Sequence, residues 1–448
     1  MTANGQRDRP AIASRGRPSR RRLKTFSVPL FLSLILPIRT NAAQVAHPPS
    51  KQDLPVLLRA ADEALGRKDF PSAVRALKSV VEVEPGSAAV WFNLAYAYSE
   101  LHENEKAAEA YRKTLEVQPG LFEAQLNLGI VLIEMNQARA ALEPLARAAA
   151  LRPGHARAHL YYGRALASAS QADAAEAQFR EALKLDSGLA MAHFDLGQLD
   201  LSRKRFADAL QAFEDAIKSD PKLVRAQLGL ALASEGLGRS GDAVEHYERY
   251  LAEHPEDLET RFHLARLYLE QEKNEKALEN LQAVYQARPN VPGLAAALGD
   301  VYALLKQFTE SENFYRQAVV ASPAEPDLRR ALGQTLLDQG KYAEAEAEFR
   351  ETLRLDPRNV DAAKGLANSF YLEKRYAEAA PLFESLARSP EAPAGLFFVL
   401  ATCYDHLRDR RGALETYERY LELSRGKNPD QEWQARQRAK LLRRELSK

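Results

Sequence analysis

Apolar and polar positions along this chain recur on two scales. Within stretches of about a dozen residues, apolar side chains fall three and four apart, as with Leu94 and Tyr98 or Ala107 and Tyr111. That spacing puts them on one face of a helix. On the longer scale the whole pattern repeats every 34 residues, from about residue 54 to about residue 427. A period of this length marks a stacked array of helical units, none of which buries its apolar stripe alone.

With Leu54 as position 1, eleven units follow without a slip. Position 20 is alanine in ten of them, from Ala73 to Ala413, and Ser311 in the other. Position 8 is always small: Gly129, Gly163, Gly197, Gly299 and Gly333, with alanine elsewhere. Position 24 is always large, as Leu77, Tyr111, Phe179 or Tyr417. Position 32 is proline in eight units, from Pro85 to Pro357, with Ser187, Glu391 and Arg425 in the others. The pattern predicts helix A over roughly positions 1–14 and helix B over roughly 18–31. Small residues at 8 and 20 let the two backbones approach, the large one at 24 fills the space beside them, and the proline stops helix B.

These positions closely resemble the tetratricopeptide repeat. Trp91, Leu94, Ala95, Tyr98, Ala107, Tyr111 and Pro119 carry its signature in the second unit. The resemblance covers eleven units and implies an all-α fold, a right-handed superhelical solenoid of antiparallel helix pairs. It also implies that helix-A positions 2, 5, 9 and 12 line a concave groove that binds a protein or peptide. Those positions include Phe92, Tyr96, Glu123, Leu126, Ile130, Arg157, Leu160, Arg164, Met191, Phe194, Gln198, Leu201, Arg225, Phe262 and Arg266. Phe92, Tyr96, Arg157, Arg164, Phe194, Gln198, Arg225, Phe262 and Arg266 are the expected partner-binding set, since aromatic and arginine side chains make the strongest anchors. The family's carboxylate clamp is not expected. Lys364 and Asn368 fit it, but Val399 stands where asparagine is needed.

Both ends differ from the array. Residues 1–43 are basic, then apolar over Phe26–Ile38, then small at Thr40–Ala43, the order of a secretory signal peptide. Residues 44–53 read as a linker, 54–427 as the repeats and 428–448 as a C-terminal capping helix. Ala435, Ala439, Leu442 and Leu446 form that helix's inward stripe, with Trp433 near its start and Arg436, Lys440, Arg443 and Arg444 opposite. The basic face reads first as a solvated cap and, more sharply, as a foot for an acidic partner or lipid head groups. Membrane association is otherwise expected only through an uncleaved N-terminus.

Charge narrows the partner class. The chain has 62 basic and 61 acidic residues, but residues 1–43 hold nine basic and one acidic. The remainder is therefore 53 against 60, with no basic field over the repeats, which disfavours nucleic acid. Glu344, Glu346 and Glu348 read as carboxylates scattered over a solvated face. Cys403, the only cysteine, excludes an intrachain disulfide and reads as a buried thiol.

No motif carries catalysis. Gly236-Leu237-Gly238-Arg239-Ser240-Gly241 spells a dinucleotide fingerprint, but it lies between two predicted helices rather than after a strand. His155, His159 and His193 fall at helical and repeat spacing, yet Ala156 stands where a zinc hydrolase has its glutamate, so no metal is expected. No cofactor is expected either. The sequence points to a non-catalytic, exported scaffold or adaptor in the bacterial cell envelope, of undetermined oligomeric state. The alternative is a carbohydrate- or lipid-binding accessory subunit of a polysaccharide synthesis or export machine, its sugar rings stacked on groove aromatics.

Overall fold

A computed structural model describes residues 50–447, which form 23 α-helices from Leu54–Gly66 to Pro429–Leu446 and, among the described residues, no strand. The chain divides into two compact units. The N-terminal one ends at Pro255 and holds six helix pairs; the C-terminal one begins at Glu256 and holds five pairs and the last helix. The expected signal peptide lies outside the described residues. In the first pair, helices Leu54–Gly66 and Phe70–Val83 occupy positions 1–13 and 17–30, so both end one residue earlier than the pattern predicts.

The small and large positions meet as the spacing requires. Every alanine at position 20 is fully buried. Ser311, the exception, is buried too, and its hydroxyl donates to the Gly299 carbonyl at 2.9 Å, so no polar group is left wanting. A methyl group on Gly129 would lie 2.3 Å from Leu145 Cγ, and one on Gly163 would lie 2.6 Å from the Phe179 ring. The glycine at position 8 is thus the notch that its own position 24 fills.

The turn inside each pair has one geometry throughout. Position 15 is left-handed in all eleven repeats, from His102 (φ 56°) to Gly340 (φ 78°). Nine of these residues are not glycine, although an L side chain is disfavoured there. The conformation lets the next residue's N–H reach back and close the helix, as Asp69 does to the Ala64 carbonyl at 2.8 Å. Gly238 (φ 72°) is the same position of the sixth repeat, so Gly236–Gly241 form a helix-to-helix turn.

Two polar devices tie the repeats. The position-4 side chain donates to the carbonyl of the residue before the helix-A turn: Trp91 to Pro85 (2.8 Å), Gln125 to Pro119 (3.0 Å) and Arg329 to Pro323 (3.3 Å). The rings of His159 and His193 bond Pro153 and Ser187 in the same way, each at 3.0 Å. Second, an acid at position 21 meets a base at position 16 of the following repeat. Glu176–Arg205, Glu312–Lys341 and Glu346–Arg375 lie at 2.7, 2.7 and 2.6 Å. Only these three repeats carry an acid at position 21, and each is followed by a base.

The expectation that Glu344, Glu346 and Glu348 lie on a solvated face holds for Glu344, which is exposed, and fails for Glu346 and Glu348, whose side chains are 15% and 19% exposed. Glu344 pairs with Arg316 at 2.7 Å, Glu346 with Arg375 and Arg350, and Glu348 with Arg329 at 3.0 Å. Their spacing looked random because two of the partners lie a repeat away in sequence.

Candidate binding groove

Helix A of each repeat is short, 11 to 13 residues, and positions 2, 5 and 9 fall on one of its faces. The structure sorts the nine expected anchors into three groups. Phe92 and Phe194 belong to the packing. Phe92 is 1% exposed, with its ring edge-on to Tyr111 at 5.7 Å. Phe194 is half-buried and meets Phe213 in the same way, also at 5.7 Å. A position-5 aromatic leans on its own repeat's position 24, so the expectation that Phe92 offers its face to a ligand fails. The alternative sugar-binding groove loses part of its aromatic ladder with it.

Arg164 and Arg266 carry charge that is already matched. Arg164, in helix Ala156–Ser168, forms an ion pair with Asp195 in helix Ala190–Ser202, each side chain 16% exposed. Its guanidinium also lies over the Tyr161 ring at 5.3 Å. Burial holds the Asp195 carboxyl above its ordinary value even with this cation beside it. The pair fixes two neighbouring helix-A faces relative to each other, which positions the groove. Arg266, in the C-terminal unit, meets Glu270 at 2.9 Å, a single helical turn away.

The remaining residues are accessible in part. Tyr96 is half-buried, its ring edge-on to Phe70 at 5.9 Å. Burial, with Glu100 beside it, pushes its phenol up to about 12. Gln198 and Phe262 are half-buried. Arg157 is exposed and Arg225 half-exposed, and neither has an ion partner among the described residues. By repeat register Arg157, Met191 and Arg225 are position 2 of repeats 4, 5 and 6, and Gln198 and Leu232, the latter 36% exposed, are position 9 of repeats 5 and 6.

The face also contains matched polar pairs that the pattern alone does not reveal. Where position 24 is tyrosine, its hydroxyl finds a polar partner at position 9 or 12 of its own helix A, and Tyr111 accepts there from Ser99 at 3.5 Å. Tyr247 donates to Glu235 at 3.0 Å and Tyr315 to Asp300 at 2.5 Å, while Tyr417 and Thr402 lie 3.4 Å apart. Where position 24 is leucine or phenylalanine, position 12 is apolar in six of seven repeats, as Leu65, Ile133 and Leu201 show, with Tyr371 as the exception. The choice of tyrosine or phenylalanine was thus a readable signal for which groove polar groups are already engaged.

Histidines on these helices are structural. The His155 ring accepts the Ala158 N–H at 3.2 Å as a helix cap, and His159 also bonds Gln178 at 2.8 Å. Cys403 is fully buried, and burial pushes its thiol up to about 12, out of reach of nucleophilic use at neutral pH.

The Tetratricopeptide repeat model matches residues 58–124, 126–190, 194–257, 262–326 and 330–394, most of the chain. The chain belongs to the tetratricopeptide-repeat family. Proteins of this family are generally non-catalytic scaffolds that bind peptides or proteins. Among curated proteins, no sequence matches. Solved structures similar to the chain include MamA from Desulfovibrio magneticus RS-1, 23% identical over 37% of this chain and 94% of that one, with a TM-score of 0.36. YrrB, described as a TPR protein with an unusual peptide-binding site, is 23% identical over 39% and 91%, with a TM-score of 0.37. PilW, a type IV pilus biogenesis factor, is 22% identical over 46% and 95%, with a TM-score of 0.41. Each covers less than half of this longer tetratricopeptide-repeat array.

Proposed function

We propose that this protein is a non-catalytic scaffold that holds a peptide or partner domain against the helix-A faces of repeats 4 to 6. The observation that carries this reading is the pairing of unmatched and matched charge on that face. Arg157 and Arg225 have no ion partner among the described residues, while Arg164 between them is fixed by Asp195. Partly exposed Met191 and Leu232, at positions 2 and 9 of repeats 5 and 6, supply apolar surface on the same helix-A face. A segment with carboxylates spaced between apolar side chains satisfies both. The rigid Arg164–Asp195 pair limits the ordering entropy that binding would otherwise cost.

Export to the bacterial cell envelope is part of this reading. It is supported by the basic, apolar and small zones at residues 1–43. No described helix is long and apolar enough to cross a membrane. Intact-mass analysis of the native protein tests it: loss of about the first 43 residues supports a cleaved signal, and their retention contradicts one.

The binding test is a crosslinked pull-down from a cell-envelope extract, with the native chain as bait beside an Arg157→Glu, Arg225→Glu variant. A protein captured by the first and lost with the second supports groove binding at repeats 4 to 6. Equal capture by both moves the interaction elsewhere on the molecule and removes these residues from the site.

A further inference from the structure

The last helix (Pro429–Leu446) has two faces of different character. Inward, Ala435, Ala439 and Leu442 are buried with Tyr417 and Tyr420 of the preceding helix (Arg410–Ser424), and Arg438 is held by Asp405 at 2.5 Å. Leu446 departs from the expected stripe and is 44% exposed. Outward, residues 433, 437, 440, 441 and 444 share one face by their spacing of three and four. Trp433 is 63% exposed there, the most exposed aromatic side chain of the described residues, and Leu441 is 46% exposed.

Charge on this helix is divided the same way. The flanking Arg436 and Arg443 are matched by Glu432 (2.9 Å) and Glu418 (2.6 Å), and Glu445 by Arg410 (2.9 Å). Lys440 and Arg444 have no ion partner among the described residues. The outward face therefore holds an indole, a leucine and two unmatched cations, with one exposed acid, Asp430, a turn before Trp433.

We propose that this face is a membrane-surface contact that lies against anionic lipid head groups. An indole sits favourably at the level of the head groups, and each nearby cation adds attraction to an anionic leaflet. A protein partner would have to bring a groove shaped to this helix. Lipid demands no such complement. The contact is peripheral, independent of the groove reading, and adds a second route to a membrane beside the N-terminus.

The two tryptophans make this testable on the full chain. With Trp91→Phe, Trp433 is the sole emitter, and its signal reports this helix and not the N-terminus. Phosphatidylglycerol vesicles should shift its emission to the blue and shield it from acrylamide; phosphatidylcholine vesicles should not. Lys440→Gln with Arg444→Gln should lower partitioning by roughly 30-fold, at about 1 kcal/mol per cation. Circular dichroism should be unchanged in that variant, because neither side chain touches the inward face. Unchanged Trp433 emission on phosphatidylglycerol overturns the proposal even if the chain sediments with the vesicles. An equal shift on neutral lipid, or full partitioning by the double variant, overturns it as well.

Discussion

At position 21, where helix B meets the next repeat, repeats 1 to 3 carry Val74, Ala108 and Leu142, whereas repeats 8 and 9 carry Glu312 and Glu346. The first three repeats and helix A of the fourth share one apolar cluster that runs from Ala61 to Ala165, with Val74 and Leu142 packed against it. Repeats 8 to 10 add ion clamps: Glu312 takes Lys341, Arg316 and Gln339, and Glu346 takes Arg375 and Arg350. Arg375 also lies over the Phe370 ring at 4.3 Å. One repeat geometry is thus held together by two kinds of force, and the two respond differently to conditions. Apolar burial is insensitive to moderate salt and pH; charge pairs weaken with both.

The largest expected effect lies on the apolar side. Leu145→Ala should destabilise the N-terminal unit by about 2–5 kcal/mol, since Leu145 is fully buried against Gly129. Urea unfolding followed by Trp91 emission in a Trp433→Phe background measures it. A loss that shrinks at high salt would break the comparison.

On the C-terminal side, Asp300 has an opposite, destabilising role. Burial pushes its carboxyl up to about 6, against the pull of the Tyr315 hydroxyl and Arg330. The folded state therefore binds a proton that the unfolded state has lost between about pH 4 and pH 6, and stability falls as pH rises through that window. Asp300→Asn keeps an acceptor for Tyr315 and should stabilise the C-terminal unit at pH 7 by on the order of 1–3 kcal/mol. The gain should vanish near pH 4. A pH-independent gain would assign the effect to packing instead.

The clamps themselves come next. Glu346→Gln should cost about 1–2 kcal/mol at low ionic strength and less than half of that in about 1 M salt. Burial would raise the Glu312 carboxyl, but its bonds from Lys341, Gln339 and Arg316 outweigh that and hold it at about 2. Its contribution is complete above about pH 4.5 and lost as pH falls toward 2. Acid titration of a Glu312→Gln variant against the parent should show the two converging in that range. Parallel curves would mean the clamp carries no stability.

The smallest effect should be the same in both regions. Lys68→Gly and Lys374→Gly relieve left-handed backbone at φ 58° and 64° and should each stabilise by about 0.5–1 kcal/mol. Unequal gains would show that the turns also differ between the regions.

The repeat was legible because packing of position 24 against positions 8 and 20 leaves a periodic trace of large and small residues. The clamps were not, although their trace is present: each acid at position 21 has its base 29 residues on. Read along one helix face, Glu346 is merely one of three nearby carboxylates; only the three-dimensional register brings Arg375 to it. The groove was legible by position and not by availability. Phe92 and Arg157 both sit at expected groove positions, yet one leans on Tyr111 and the other meets no ion partner among the described residues.

Amide hydrogen exchange on the full chain, at about 0.05 M and about 1 M salt, tests the two-force account most directly. It predicts that salt lowers protection in helices Phe308–Ala321, Tyr342–Leu355 and Val360–Leu372 and leaves Ala88–Glu100 and Ala138–Leu151 unchanged. Equal loss in both sets, or none in either, would contradict it.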